Sequence, residues 1–191
     1  MKYHAFYVNG DLLIRIKNKE CTSYIKEGNI SILYNGDEII GYNILAFPIK
    51  LNLGLVKLTD EINNEVNKQL KSINQSELEI DDNNYFVVGY IKEIEKHPES
   101  NKLNICQVDI GESINQIVCG ASNVDKGQFV VVAKVGAVLF DGTWIKKGKL
   151  LKVESNGMIC SSRELGLTKD GKGILVLDDK YKVGEVFTGL K

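Results

Sequence analysis

Apolar residues in the first 47 positions come in short runs separated by turn residues. The segment AFYVNGDLLIRI places Asn9-Gly10-Asp11 between two apolar runs, and ISILYNGDEIIGYNILAF repeats the arrangement with Asn35-Gly36-Asp37. Asn-Gly between apolar segments is a strong signal of a β-hairpin because both residues tolerate the positive φ of a tight turn. The pattern therefore predicts antiparallel strands over residues 3–47.

The spacing of apolar residues becomes helical over residues 59–73, TDEINNEVNKQLKSI. The residues at this spacing are Ile62, Val66, Leu70 and Ile73. Thr59 or Asp60 is suited to cap the helix, because a side-chain oxygen there accepts from a free backbone N–H of the first turn. We therefore predict a small antiparallel sheet packed by one helix.

Residues 74–84, NQSELEIDDNN, are polar and acidic and contain few large apolar side chains. This composition is typical of a linker, and each side of it has enough apolar residues for a core of its own. We predict two domains, 1–80 and 85–191, with a long surface loop inside a single domain as the alternative.

From Tyr85 onward, five short apolar segments with glycine turns follow one another and no long helical pattern occurs. These segments are FVVGYIKEIEKH, LNICQVDIG, INQIVCGAS, QFVVVAKVGAVL and LLKVESNGMICS. Gly89 within the first of them suggests a bend or bulge. The pattern predicts a mainly β chain whose second half is a five-stranded OB-fold barrel, preceded by a small α+β part. A lipid- or peptide-binding barrel would have the same strand count.

Charge is distributed unevenly around a net value of −1. Residues 1–84 carry nine Lys and Arg against twelve Asp and Glu, whereas residues 85–191 carry fifteen against thirteen. No run of about eighteen apolar residues occurs, so we expect no transmembrane helix and no membrane partner. The N-terminus also lacks the pattern of a signal peptide, which favours a cytoplasmic protein.

The most distinctive local feature is KKGKLLK, which places Lys146, Lys147, Lys149 and Lys152 within seven residues without an acidic residue. Ser155-Asn156-Gly157 follows it as a turn of small residues. Lysines supply charge, hydroxyls supply directed donors, and glycine allows a phosphate to approach, so the segment has the composition of a polyanion site. A solvated surface loop is the alternative.

Metal and catalytic chemistry are poorly supported. Cys21, Cys106, Cys119 and Cys160 form no closely spaced pair, so we predict buried free thiols, no metal and no cofactor. His97 has no nearby arrangement of a nucleophile and a base, and His97-Pro98 is better suited to shape a turn. We therefore predict no catalytic residue and no enzyme.

Four segments in order carry a family resemblance: HPESNKLNICQVDIG, QIVCGASNV, VVVAKVGAVL and IKKGKLLKVESNGMICSSRELGL. They resemble the tRNA-binding domain of phenylalanyl-tRNA synthetase beta chains, of the endothelial monocyte-activating polypeptide family and of many methionyl-tRNA synthetases. The resemblance covers residues 85–190, and the additional N-terminal domain is similar to that of YtpR-type stand-alone proteins. Ser100-Asn101 departs from the Ala-Asp that the family often has there.

The resemblance implies a non-catalytic OB-fold that binds the outer corner of tRNA by shape. The positions that match the family's tRNA contacts are Lys146, Lys149, Lys152, Ser155, Met158 and Ser161. Arg163 is a further RNA-binding candidate, with a salt bridge to Glu164 or another acidic residue as the alternative, and Met158 is equally suited to fill a core. The expected partners are tRNA and, since stand-alone members often dimerise, a second copy of the chain.

Two alternatives remain beside tRNA binding by a stand-alone protein. In the first, the chain is an accessory subunit or shortened relative of a synthetase beta chain. Beta chains carry further domains after the tRNA-binding domain, and this sequence leaves no room for them. In the second alternative, the barrel is a protein-interaction module.

Overall fold

The structure, a computed structural model, describes residues 1–81 and 83–189. The chain divides into two units, Met1–Asn83 and a second unit that begins at Asn84. Residues 190 and 191, which close the predicted second domain, lie outside the described residues. The predicted fold class, a mainly β chain with one helix and antiparallel sheets, is confirmed.

The first unit is built on one sheet in the order β3-β4-β5-β2-β1-β6, with β7 paired in parallel to β1. Its strands are β1 (Lys2–Val8), β2 (Asp11–Arg15), β3 (Ser23–Glu27), β4 (Ile30–Asn35), β5 (Glu38–Ile44), β6 (Gly54–Leu55) and β7 (Glu79–Ile80). Both predicted hairpins are confirmed, β1–β2 and β4–β5. In the first hairpin Asn9 and Gly10 have φ values of 53° and 95°, which the tight turn requires.

The predicted helix is confirmed as α1 (Asp60–Ser72). Thr59 is its N-cap, and the Thr59 hydroxyl accepts a hydrogen bond from the backbone N–H of Ile62. Ile62, Val66 and Leu70 are buried in the core of the unit, as their spacing predicted. Within the described part of the chain, no helix is long and apolar enough to cross a membrane.

The segment 74–84 is not simply a polar linker. Leu78 is buried in the core of the first unit, and the side chain of Asn67 on α1 exchanges two hydrogen bonds of 2.8 Å with the Leu78 backbone. β7 then joins the sheet beside β1. One apolar residue and two strand residues therefore anchor the segment, although its average composition is that of a loop.

The second unit is built on antiparallel strands in the order β10-β9-β8-β11-β14, with β15 also paired to β11. Its strands are β8 (Phe86–His97), β9 (Ser100–Asp109), β10 (Ile114–Cys119), β11 (Phe129–Ala133), β12 (Gly148–Leu150), β13 (Val153–Ser155), β14 (Met158–Ile159) and β15 (Val176–Leu177). β12 and β13 form a separate two-stranded hairpin. The central strand β11 is fully buried from Val130 to Ala133, consistent with its continuous apolar run.

The bulge expected at Gly89 lies elsewhere. The register of β8 shifts between Ile91 and Glu93, beyond Gly89. A Cβ at Gly89 would instead lie 2.7 Å from methyl groups of both Val108 and Val132. Gly89 is therefore required by close packing inside the core of the second unit.

Residues 154–156 join the two ends of this sheet. Among the described strands β10 and β14 form no ladder, but the Asn156 N–H donates to the Gln116 carbonyl oxygen at 2.8 Å. The Gln116 side-chain amide donates to the Glu154 carbonyl oxygen at 2.9 Å. The end of the β12–β13 hairpin thus lies along β10, directly before β14 in the chain.

Candidate functional site

The four clustered lysines lie on the β12–β13 hairpin and the residues just before it. We call residues 146–155 the lysine hairpin; its two strands are joined by the two-residue turn Leu151-Lys152. Lys146, Lys147, Lys149 and Lys152 are all exposed. The fold therefore presents the cluster to solvent on an ordered two-stranded element.

Two carboxylates from outside the KKGKLLK segment lie beside these lysines. Glu154 has carboxylate oxygens 3.9 Å from the Lys147 Nζ and 4.0 Å from the Lys149 Nζ, and Glu99 lies 2.7 Å from the Lys152 Nζ. Exposed pairs of this kind contribute little to stability and are readily exchanged for other anions. They nevertheless reduce the positive charge that the sequence alone suggested.

Lys146 differs from the other three lysines. Within residues 1–81 and 83–189, it forms no ion pair and no side-chain hydrogen bond, although it is exposed. It is therefore the lysine of the hairpin whose charge is least compensated by the protein.

His97 fixes the position of the lysine hairpin. Its imidazole is only 4% exposed, and its Nδ1 accepts a hydrogen bond from the Glu99 N–H at 3.0 Å. The neutral ring therefore carries its proton on Nε2, which donates to the Leu150 carbonyl oxygen at 3.1 Å. One side chain thus connects the β8–β9 turn to the tip of the hairpin, a role that the turn-shaping prediction did not include.

Ser155 is buried at the base of the hairpin. Its side chain is 6% exposed, its hydroxyl accepts from the Val118 N–H at 3.1 Å, and it donates to the Gly157 carbonyl oxygen at 3.3 Å. Gly157 has a φ of 135°, and a Cβ there would lie 2.9 Å from the Ala133 carbonyl oxygen. Both residues therefore help to pack the loop against the sheet.

Met158, Ser161 and Arg163 lie apart from the lysines, in the wall of an open hollow of about 360 Å³. Met158 is half-buried against the core cluster around Val131. Ser161 is engaged with Glu164, whose carboxylate accepts from the Ser161 N–H at 2.6 Å and from its hydroxyl at 2.7 Å. The predicted site residues therefore fall into two groups, one on the hairpin and one around the hollow.

Arg163 has a free guanidinium. It is exposed, and in the described residues it takes part in no ion pair and donates no side-chain hydrogen bond. The salt bridge to Glu164, which was the alternative role for Arg163, is therefore not formed. An unpaired guanidinium at the edge of a hollow is available to an anionic ligand.

Lys102, in the HPESNKL segment, is a further candidate that its sequence pattern does not single out. It lines a second hollow of about 630 Å³ together with Lys96, and Gly120 and Ala121 line both hollows. Lys96 donates to the Asn104 side chain at 2.9 Å, whereas the Lys102 side chain is exposed. The QIVCGASNV segment thus lies between two hollows that are each lined by basic and acidic side chains: Arg163 and Glu164 in one, and Lys96, Lys102, Glu95 and Asp125 in the other.

The four cysteines differ in their exposure. Cys106, Cys119 and Cys160 are buried as predicted, but Cys21 is exposed and the prediction was wrong for it. Burial raises the pKa of the Cys106 and Cys160 thiols to about 12. In the described ranges, no group of three or more His, Cys, Asp or Glu side chains is arranged to hold a metal ion.

Comparison with known proteins gives one family and several relatives. Residues 86–186 match the family model described as "Putative tRNA binding domain". The protein of Bacillus subtilis (strain 168) described as "Putative tRNA-binding protein YtpR" is 42% identical over 198 residues, which cover 96% of this chain and 98% of that protein. The similarity to this relative therefore extends over both units.

Synthetase subunits match over a smaller part of their length. The phenylalanine–tRNA ligase beta subunit of Sulfurimonas denitrificans is 50% identical over 127 residues, which cover 62% of this chain and 16% of that subunit. That of Campylobacter jejuni (serotype O:2) is 59% identical over 93 residues, which cover 49% and 12%. Among solved structures, the MetRS related protein from Pyrococcus horikoshii covers 52% of this chain and 84% of its own, with 26% identity and a TM-score of 0.40.

Proposed function

The chain belongs to the family of the putative tRNA binding domain, and we propose that it is a non-catalytic protein that binds folded tRNA through its second unit. The observation that carries the proposal is the lysine hairpin, whose exposed lysines stand on an element hydrogen-bonded to the rest of the unit at its tip and its base. Such an element presents charge in a fixed geometry, which favours recognition of a shaped polyanion.

The position of the hairpin in the fold supports the same function. OB-folds bind oligonucleotides on the face of their second and third strands and with two loops, the one after the first strand and the one before the last. In this unit these loops are the β8–β9 turn and the long β11–β14 connection, and His97 joins them through Leu150. The lysine hairpin lies within the second of these loops.

Lysines in this arrangement act by neutralising phosphates. Each phosphate contact releases condensed counterions, so the affinity falls steeply as salt is raised, while sequence is hardly distinguished. We assign direct phosphate contacts to Lys146, Lys149, Lys152 and Arg163, and we add Lys102 to them. Ser155 and Ser161, whose hydroxyls are engaged within the protein, support the loop, and Met158 forms part of the hollow.

A catalytic role for His97 is not part of the proposal. Both ring nitrogens are hydrogen-bonded to the backbone of neighbouring loops, and the ring is buried. A general acid or base must instead reach a substrate proton. Because tRNA acts in the cytoplasm, the proposal also locates the protein there.

The test is a filter-binding titration of bulk tRNA with the wild type and with Lys146→Glu/Lys149→Glu. We expect the double variant to bind roughly tenfold or more weakly at low salt, with a salt slope smaller by about two. Lys50→Glu/Lys57→Glu changes the net charge equally on exposed lysines of the first unit and serves as the control. Equal losses of tRNA affinity in both double variants would show that only overall charge matters. No loss of affinity in either double variant would refute the site.

A second candidate function is favoured by the synthetase matches. An accessory subunit of a phenylalanyl-tRNA synthetase would use the same unit, since the beta subunit of Campylobacter jejuni is 59% identical to this chain over 93 residues. Tagged protein purified from its own cells would then bring down a synthetase alpha chain in stoichiometric amount. Recovery of tRNA without a synthetase chain favours the stand-alone function.

Domain organisation and oligomeric state complete the proposal. We propose that residues 1–80 and 85–191 are separate domains. Limited proteolysis of the full chain tests this, with a first cut expected between residues 80 and 86.

We also propose a homodimer, in which two lysine hairpins would raise the avidity for tRNA. Light scattering after gel filtration distinguishes one chain from two.

A further inference from the structure

The turn of the lysine hairpin has an unfavourable sequence for its geometry. Leu151 and Lys152 have φ values of 43° and 71°, both in the left-handed region. Two-residue hairpin turns with two positive φ values strongly prefer Asn-Gly, because a branched side chain there is strained. This chain uses Asn9-Gly10 for the equivalent turn between β1 and β2, with φ values of 53° and 95°.

Burial does not compensate for the strain at Leu151. Leu151 as a whole residue is 51% exposed, and the adjacent Leu150 is 41% exposed. Neither leucine belongs to the hydrophobic clusters of the unit. The positive φ values at the turn are thus unfavourable for the backbone. The exposure of two neighbouring leucines to water is unfavourable as well.

The leucines are held in place although they are exposed. The Leu150 carbonyl oxygen accepts from His97, and Lys152, on the other side of Leu151, pairs with Glu99 at 2.7 Å. The tip therefore presents an apolar side chain at a defined position, with cationic side chains on both sides of it. Such a combination matches a surface that has phosphates around an exposed apolar face.

From this arrangement we propose that Leu151, assisted by Leu150, packs on an unstacked base of the bound RNA. The inference rests on the proposed function and specifies how the site distinguishes folded RNA from a regular helix. A regular duplex shows a protein its phosphates and groove edges, whereas the loops and corners of folded RNA expose base faces. Lysines bind the phosphates of both, and Leu151 adds a contact that only the folded RNA provides.

Two substitutions separate binding from turn stability. Leu151→Asn places the preferred residue at the turn and removes the apolar contact, so the thermal midpoint should stay the same or rise while tRNA binds roughly fivefold more weakly. Leu151→Phe keeps an apolar face and the strain, so the midpoint should not rise while the tRNA affinity is retained or increased. Binding is measured by filter titration with tRNA and with a regular RNA duplex.

Opposite changes in stability and tRNA affinity, with duplex binding unchanged, would establish the contact. The matched control is Leu53→Asn, because Leu53 is an exposed leucine in the first unit. A Leu151→Asn variant that binds tRNA as tightly as the wild type would overturn the inference. This result is the one expected if the tip of the hairpin contacts a membrane or a protein. A wild type that binds no tRNA would refute the proposed function instead, so the two failures are distinguishable.

Discussion

The imidazole of His97 and the backbone of Leu150, 53 positions apart in the chain, are joined by a hydrogen bond of 3.1 Å. This contact fixes the tip of the lysine hairpin relative to the β8–β9 turn. A histidine that invites a catalytic interpretation in the sequence is thus a positioning residue, and its two nitrogens have separable functions.

Replacing His97 separates these two functions. In His97→Gln the side-chain amide can take the place of Nε2 as donor to Leu150, whereas in His97→Asn the side-chain oxygen can take the place of Nδ1 as acceptor from Glu99. We expect His97→Asn to weaken tRNA binding by about 1 kcal/mol, or roughly fivefold, and His97→Gln to bind more nearly as the wild type does.

A double-mutant cycle excludes a general loss of folding in that experiment. If His97 acts through the hairpin, the effect of His97→Asn should shrink when Lys149 is already replaced by alanine, whereas it should persist beside Lys102→Ala. Fully additive losses in both cycles would contradict a positioning role.

Removing the carboxylate of Glu154 should tighten tRNA binding. Glu154 lies close to both Lys147 and Lys149, so Glu154→Gln increases the charge available to phosphates while it keeps the shape of the side chain. We expect about a twofold to threefold higher affinity at low salt and no difference at about 1 M salt, where exposed charges are screened. Glu27→Gln, an exposed substitution in the first unit, is the control.

Ser155→Ala should reduce stability more than it affects phosphate contacts. The substitution leaves the buried Val118 N–H without its hydroxyl acceptor, which costs about 1–3 kcal/mol in the free energy of unfolding. Urea denaturation measures this loss. If Ser155 instead contacted RNA directly, the variant would lose affinity at unchanged stability.

Thiol reactivity should distinguish Cys21 from the other three cysteines. Burial raises the pKa of Cys106 and Cys160 to about 12 and also raises that of Cys119, so almost no thiolate exists at these positions at neutral pH. We expect one of the four thiols to react rapidly with an aromatic disulfide reagent at about pH 8. Cys21→Ser should abolish that fast phase, and three further thiols should react only after denaturation.

Elements with local signals were predictable from the sequence. The hairpin at Asn9-Gly10 and the helix capped by Thr59 follow from residues within a few positions of each other. β7 was missed because a two-residue strand is fixed by its partner, β1, and not by its own composition. The same holds for Gly89, whose role depends on two valines from other strands.

For the candidate site, the sequence indicated the lysines but not their surroundings. Glu99 is distant in the chain from the lysine that it pairs with, and Glu154 lies just beyond the segment that appeared free of acids. The burial of Ser155 could not be inferred from a turn of small residues, because it depends on the edge of β10. Residue types were therefore informative about chemistry, and tertiary contacts decided which of them are available.

The lysine hairpin ends in residues that also pack against β10 of the second sheet. Its buried positions, such as Ser155, are constrained by folding, while neighbouring exposed positions are constrained only by the ligand. Single substitutions can therefore add or remove a cation without disturbing the frame that holds it. Selection could thus adjust the affinity for a polyanion in small steps without a loss of the fold.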